Sequence, residues 1–260
     1  MSYARLSKKT KCSERDEENH VSSVGLSEGL KGDIAEAIRA HSPIPEINIQ
    51  LDLAEAYRVQ HEITALRSPE GTDGIKAGVT AKAAQGYFGL EHALIASLYA
   101  SSQHDAAASL PYVPGRKLEC ELAVIVDEHG TPKAIAPAIE IVLVQFARAE
   151  DMSASNLVVT NLGADKFIVG DFLNWAPSYE DASAHLSLNG ETVNTAAMTD
   201  AIGGPEKSVP WMWNEALSRG FETSGDTLLL TGACGTVVPG ERGFYKADFG
   251  ALGNIEFEID

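Results

Sequence analysis

The apolar positions recur with two different periods along the chain. Early on, Ile34, Ala37 and Ile38 are spaced for one face of a helix over residues 30–41. Ser42-Pro43-Ile44-Pro45 stops that helix and continues extended. Residues 52–66 predict a second helix, with Asp52 as N-cap, Glu55 three residues on, and Leu53, Ala56, Val59, Ile63 and Leu66 as the buried stripe. Gly74-Ile75-Lys76-Ala77-Gly78-Val79-Thr80 then reads as a short strand whose glycines permit close backbone approach. A short helix over 81–88 ends at Gly89. Residues 90–117 carry no strong signal beyond the turn residues Pro111, Pro114 and Gly115.

From there the pattern is strand-like. The apolar runs 118–126 and 136–144 come first, followed by 157–161, 167–169, 185–188, 227–230, 245–247 and 254–259. A single later helix is expected near 211–218, closed by Gly220. Many short strands broken by Gly and Pro imply an α+β protein with a mainly antiparallel or mixed β body. The expected organisation is a polar tail over 1–24, a small helical N-terminal cap over 25–72 and a β-rich body over 73–260.

The run Leu118-Glu119-Cys120-Glu121-Leu122 changes this picture. Its two carboxylates are two residues apart, so on a strand they share a face. Glu140 stands in the second apolar run. Acids in such surroundings are costly to bury as charges unless something pairs with them. Three anionic oxygen ligands suit Mg2+ or Mn2+, and no Cys/His cluster has zinc spacing. Read alone, a Glu-x-Glu is more often a solvated edge. Lys76, between glycines at a strand end, could hold a substrate carboxylate, although a lone Lys is more often on the surface.

The chain has 260 residues, a formal charge of −17 at pH 7, and three cysteines. That charge argues against nucleic acid and anionic membrane as partners. No apolar run of about 18 residues is present, so no membrane span is expected, and the first 20 residues lack the apolar core of a signal peptide. Cys12, Cys120 and Cys234, odd in number and scattered, fit reduced thiols in a cytoplasmic protein.

Taken in order, these blocks resemble a known family. Ser42-Pro43-Ile44-Pro45, Ala56-Tyr57-Arg58-Val59-Gln60, the Lys76 block, Glu119-Cys120-Glu121, Pro137-Ala138-Ile139-Glu140-Ile141-Val142, Thr231-Gly232-Ala233-Cys234-Gly235 and Asp248-Phe249-Gly250-Ala251-Leu252-Gly253 are similar to the 2-keto-4-pentenoate hydratase and 4-oxalocrotonate decarboxylase branch of the fumarylacetoacetate hydrolase superfamily. The resemblance spans about residues 30–260. It implies a β body of that superfamily's C-terminal type, Mg2+ or Mn2+ on Glu119, Glu121 and Glu140, and Lys76 against a 2-keto acid. It implies a lyase of aromatic catabolism, foremost a hydratase adding water to a 2-hydroxy-2,4-dienoate. The alternatives are a 2-keto acid decarboxylase, an acylpyruvate-type hydrolase, or a degraded binding or assembly relative. A homo-oligomer is expected, with a paralogous subunit as a further partner.

The chain departs from the family at three places. Hydratases carry an Asp implicated in proton transfer where this chain has Leu94, leaving Glu91 and His92 as replacement acid/base candidates. Asn161 keeps a possible substrate contact, but Leu162-Gly163-Ala164 lacks the family's small hydroxyl residues. Cys234 stands where relatives have an apolar residue, and reads as a small buried hydrophobe.

Overall fold

A computed structural model describes residues 25–176, 179 and 182–260. The expected N-terminal tail, with Cys12, lies outside these residues. Helix α1 (Glu28–Ala40) is capped by Ser27, whose hydroxyl accepts the Leu30 N–H at 3.3 Å, and ends at His41 in the left-handed region. Helix α2 (Leu53–Arg67) starts on Asp52, which accepts the Glu55 N–H at 2.8 Å, as its sequence predicts. Its inner face is Ala56, Val59 and Ile63, while Leu66 is 45% exposed. The stripe ends one turn earlier than expected because Thr64 and Arg67 occupy the buried side of the last turn.

Strand β1 (Thr72–Gly78), helix α3 (Lys82–Phe88) and strands β2 (Leu94–Tyr99), β3 (Gln103–Asp105) and β4 (Ser109–Leu110) come next. Strands β5 (Lys117–Val126) and β6 (Pro132–Val142) form the long central pair, followed by α4 (Ala154–Val159), β7 (Ala164–Val169), β8 (Leu173–Asn174), β9 (Ser183–Leu188) and β10 (Glu191–Ala197). Helix α5 (Pro205–Arg219), β11 (Thr227–Leu230), β12 (Cys234–Pro239), β13 (Gly243–Asp248) and β14 (Asn254–Ile259) complete the described chain.

The strand expected over 157–161 is instead helical. Ser153 accepts the Asn156 N–H at 3.2 Å and opens α4. A tight turn follows in which Asn161, Leu162 and Gly163 have φ of 55°, 51° and 67°. A short, fully apolar run has no periodicity to separate helix from strand, and the serine cap decides it. The same ambiguity hid β2, all six of whose residues are buried. Helix α5 begins six residues before its expected start, on Pro205 at its first turn, and continues through Pro210.

The strands form a nine-stranded mixed sheet with central order β2-β1-β11-β5-β6-β7-β3, and a five-stranded sheet β10-β9-β13-β14-β4. Most pairs are antiparallel; β1–β11, β3–β7 and β4–β14 are parallel. At β1 the backbone approach is close: a Cβ on Gly74 would stand 2.3 Å from the Leu228 carbonyl oxygen.

Register divides the large sheet into two faces, since cross-strand partners point the same way. Cys120, Leu122, Val124, Ile135, Ile139 and Leu229 join the helices and the second sheet in the main core. The opposite face holds a smaller core of Leu98, Ala123, Ala136, Ala138, Phe167, Val169, Leu228 and Leu230. Lys76 is paired through Leu230 and Ala123 to Ala136, and Glu119 lies directly opposite Glu140, so all these residues share that second face. Among the described residues, no helix is long and apolar enough to cross a membrane.

Candidate metal centre

The three glutamates expected to act together are together. Each of Glu119, Glu121 and Glu140 offers a carboxylate oxygen within 4.8 Å of the others. Glu121 and Glu140 are buried and Glu119 is partly so. Lys76, wholly enclosed, places Nζ 3.1 Å from Glu140 Oε1 and 3.3 Å from Oε2, and donates to the Leu162 carbonyl at 3.2 Å. Gly78 leaves room for this: a Cβ there would stand 2.9 Å from Leu162 Cδ1 and 3.7 Å from Lys76 Nζ.

The electrostatics follow from burial and crowding. Burial pushes the Glu119 carboxyl up to about 7, Glu140 adds to the rise, and Lys76 opposes it. Burial, then the charges of Glu140 and Glu119, drive Glu121 well above the ordinary carboxylate range. At Lys76, burial disfavours the charge, but Glu140, Glu119 and Glu121 together outweigh it and raise the pKa.

Three carboxylates against one ammonium leave two negative charges when all are ionised. Glu121 Oε2 accepts the Gly232 N–H at 2.8 Å, yet Oε1 is buried with no hydrogen-bond partner. A buried carboxylate oxygen left without a partner is expensive. An all-oxygen donor set, a two-charge deficit and an orphaned oxygen fit a hard divalent cation.

The other candidates are placed differently. Asn161 is buried with its side-chain amide committed to strand β2: Oδ1 accepts the Ser97 N–H at 2.9 Å and Nδ2 donates to the Ser97 carbonyl at 2.8 Å. It therefore clasps strand β2 with one amide N–H and one oxygen lone pair. Glu91 and His92 are exposed. His92 Nδ1 donates to the Ala93 carbonyl at 2.9 Å, and its ring lines a cavity of about 290 Å³ with Thr80, Lys82, Asp200 and Trp211. Leu94 is fully buried at the head of β2. Cys120 and Cys234 are cross-strand partners on the main-core face, both buried, and burial pushes the Cys120 thiol up to about 12. Such thiols are inert.

Residue-type reasoning passed over two contributors. The Gly232 amide and the Leu162 carbonyl are backbone groups, and the glycines flanking each were the only sign of them. Gly232 has φ 102°, and a Cβ there would meet Thr80 Cγ2 at 2.4 Å, so the close approach to Glu121 needs a residue without a side chain.

Two curated relatives are similar to the chain, both named 4-oxalocrotonate decarboxylase. The one from Pseudomonas putida is 23% identical over 217 residues, covering 74% of this chain and 81% of the relative. The one from Pseudomonas sp. (strain CF600) is 23% identical over 207 residues, covering 73% and 78%. No protein-family model matches the chain. Among solved structures, 4-oxalocrotonate decarboxylase from Pseudomonas putida G7, complexed with magnesium and adipate, superimposes with a TM-score of 0.79 at 20% identity, over 90% of this chain and 99% of that one. Fumarylpyruvate hydrolase from Pseudomonas aeruginosa, in complex with Mn2+ and pyruvate, superimposes with a TM-score of 0.54 at 16% identity, over 71% and 88%. The chain resembles the hydratase and decarboxylase branch of the fumarylacetoacetate hydrolase superfamily, and its sheet-dominated α+β fold is that of these neighbours.

Proposed function

We propose that the chain is a divalent-metal-dependent lyase acting on a 2-keto acid, and that its reaction is loss of CO2. The observation that carries the reading is the enclosed Glu119–Glu121–Glu140 cluster against Lys76. The three glutamates would hold Mg2+ or Mn2+, which supplies a Lewis acid for the carboxylate and keto oxygens of a 2-keto acid.

Lys76 positions the acid. A lysine ammonium has three donors. One goes to Glu140 and one to the Leu162 carbonyl, which leaves the third for a substrate oxygen. The apolar walls around it, Leu98, Phe167 and Leu230, exclude water from the reacting bond.

The choice of decarboxylation rests on proton traffic. Hydration must remove and deliver protons and add water across a double bond. Decarboxylation of a keto acid whose second carboxylate sits on the saturated carbon just beyond the enone double bond needs no added water and no proton taken from carbon. The C–C bond to CO2 breaks, its electron pair moves through the double bond onto the keto oxygen, and that oxygen is protonated to the dienol. The position matching the hydratases' Asp is Leu94, which has no proton to exchange. The names of both curated relatives support the same choice.

Incubation of the full chain with 2-oxohex-3-enedioate and Mg2+, followed by NMR, tests this. CO2 and 2-hydroxypenta-2,4-dienoate are the expected products. A 4-hydroxy-2-keto acid formed from the dienoate would transfer the reading to hydration. Turnover of neither substrate with either metal would overturn the lyase reading.

A further inference from the structure

A groove of about 580 Å³ lies on the reverse of the sheet from the glutamates. Ile75 and Ser97, cross-strand partners on β1 and β2, stand in its wall. The next residue along β1, Lys76, points the opposite way, toward Glu140. Helix α2 and the segment after α5 form the other walls. The groove's size is that of a small-molecule site.

Its chemistry is one-sided. Asp73, Glu222 and Asp226 line it, and no Lys or Arg does. Asp226 is paired with Lys133 at 2.8 Å, and Glu222 accepts from Ser224 at 3.2 Å. The carboxylate of Asp73 has no ion pair or hydrogen bond among the described residues, and burial raises its pKa. His61 is the basic group in the wall, and its Nε2 is spent on the Arg219 carbonyl at 2.9 Å.

A second observation is independent of the acids. Thr64 and Ser97 both line the groove and are only 6% and 4% exposed. Thr64 Oγ1 is buried without a hydrogen-bond partner. Ser97 uses its backbone N–H and carbonyl on Asn161, and its hydroxyl is unpartnered among the described residues. A buried hydroxyl left unpaired, as at Thr64, carries a cost that a ligand group can remove.

We propose that this groove binds a small alkylammonium ligand. Its ammonium pairs with Asp73 and donates to the hydroxyls of Thr64 and Ser97, and its carbon chain lies against Phe221 and Ile75. The three carboxylates repel anions, and hydroxyl acceptors beside a free carboxylate match a group that carries only donors. The ligand would sit behind the catalytic sheet. Ser97 is clasped by Asn161, the neighbour of Leu162, whose carbonyl holds Lys76. Occupancy of the groove is thereby linked to the lysine of the metal centre. The proposal does not depend on the lyase reading.

Titration of the 15N-labelled full chain with 1,4-diaminobutane, butylamine and butyrate tests it. The amines should produce saturable amide shifts centred on Thr64, Asp73 and Ser97, and butyrate none. Asp73→Asn, at an exposed side chain, should weaken amine binding about tenfold, the scale of one charge-assisted contact. Thr64→Val should weaken it without the loss of charge. Three results would overturn the proposal: shifts that never saturate, shifts spread over the acidic surface and untouched by Asp73→Asn, or a dimer by sedimentation that buries the groove and abolishes them.

Discussion

At the scale of single residues, Glu121 tests the metal centre most sharply. Its carboxylate is fully buried, its pKa is driven well above normal by burial and then by Glu140 and Glu119, and one oxygen has no partner. In the metal-free chain its charge opposes folding; with a divalent cation present the same charge is an anchor. Glu121→Gln separates the two effects, because the amide oxygen can still accept the Gly232 N–H. Calorimetric titration should show Mg2+ and Mn2+ affinity down by more than about a hundredfold, beyond the loss typical of an outer-shell partner. In chelator, the variant should be as stable as the parent or about 1 kcal/mol more so, as when buried charges are replaced by neutral groups. Unchanged metal affinity would sink the centre. The sequence made this site readable where side chains carry it: Glu119 and Glu121 share a face by parity alone, and Glu140 sits in an apolar run. That Glu140 stands opposite Glu119 is a matter of register. The Gly232 amide and Leu162 carbonyl are invisible to residue-type reasoning because every residue has those atoms.

At the scale of elements, the informative segment is the one misread. Residues 157–161 have the apolar content of a buried strand, but Ser153 nucleates a helix there and the left-handed turn through Asn161 and Leu162 breaks it. That turn aims the Leu162 carbonyl at Lys76 and the Asn161 amide at β2. Asn tolerates the left-handed region better than most residues, which is one reason for it here. The other is the clasp. Asn161→Ala should destabilise the chain by about 2–4 kcal/mol in urea denaturation, from two buried backbone groups losing their partners at about 1–3 kcal/mol each. Asn161→Gly, which suits the backbone but lacks the amide, should recover only the smaller conformational part. If glycine restores full stability, the clasp contributes nothing. Elsewhere, elements with a cap or a clear period were legible: α1, α2 and β14 stand close to where the pattern puts them. Elements without either, such as the wholly buried β2 and the two-residue β4 and β8, had no signal for the sequence to carry.

At the scale of the whole molecule, one buried network ties three distant parts of the chain. Asp165, at the head of β7, lies 2.9 Å from His41 Nε2 and accepts from Arg116 Nε at 2.7 Å. His41 ends α1, and Arg116 precedes β5 and also donates to the Pro111 carbonyl at 2.8 Å. Burial works against the Asp165 charge, but His41 and Arg116 outweigh it and hold the pKa below its usual 3.8. A carboxylate depressed in the folded state contributes stability that is fully present above its unfolded pKa and is lost as pH falls through the folded one. The window for Asp165 therefore lies below 3.8. The formal charge of −17 acts in the other direction, since protonating exposed carboxylates relieves self-repulsion. Stability should accordingly hold or rise on mild acidification and fall steeply only once Asp165 is protonated. Asp165→Asn leaves Arg116 buried without its counter-charge, and should lower the neutral-pH plateau by about 3–5 kcal/mol, the usual cost of halving a buried pair. It should also flatten the acid limb, because the group that titrates there is gone. Urea midpoints measured from neutrality down to about pH 3 decide it, across the range where paired carboxylates protonate. Parent and variant curves that run parallel over that range would show that the network is not what holds α1 to the sheet in acid.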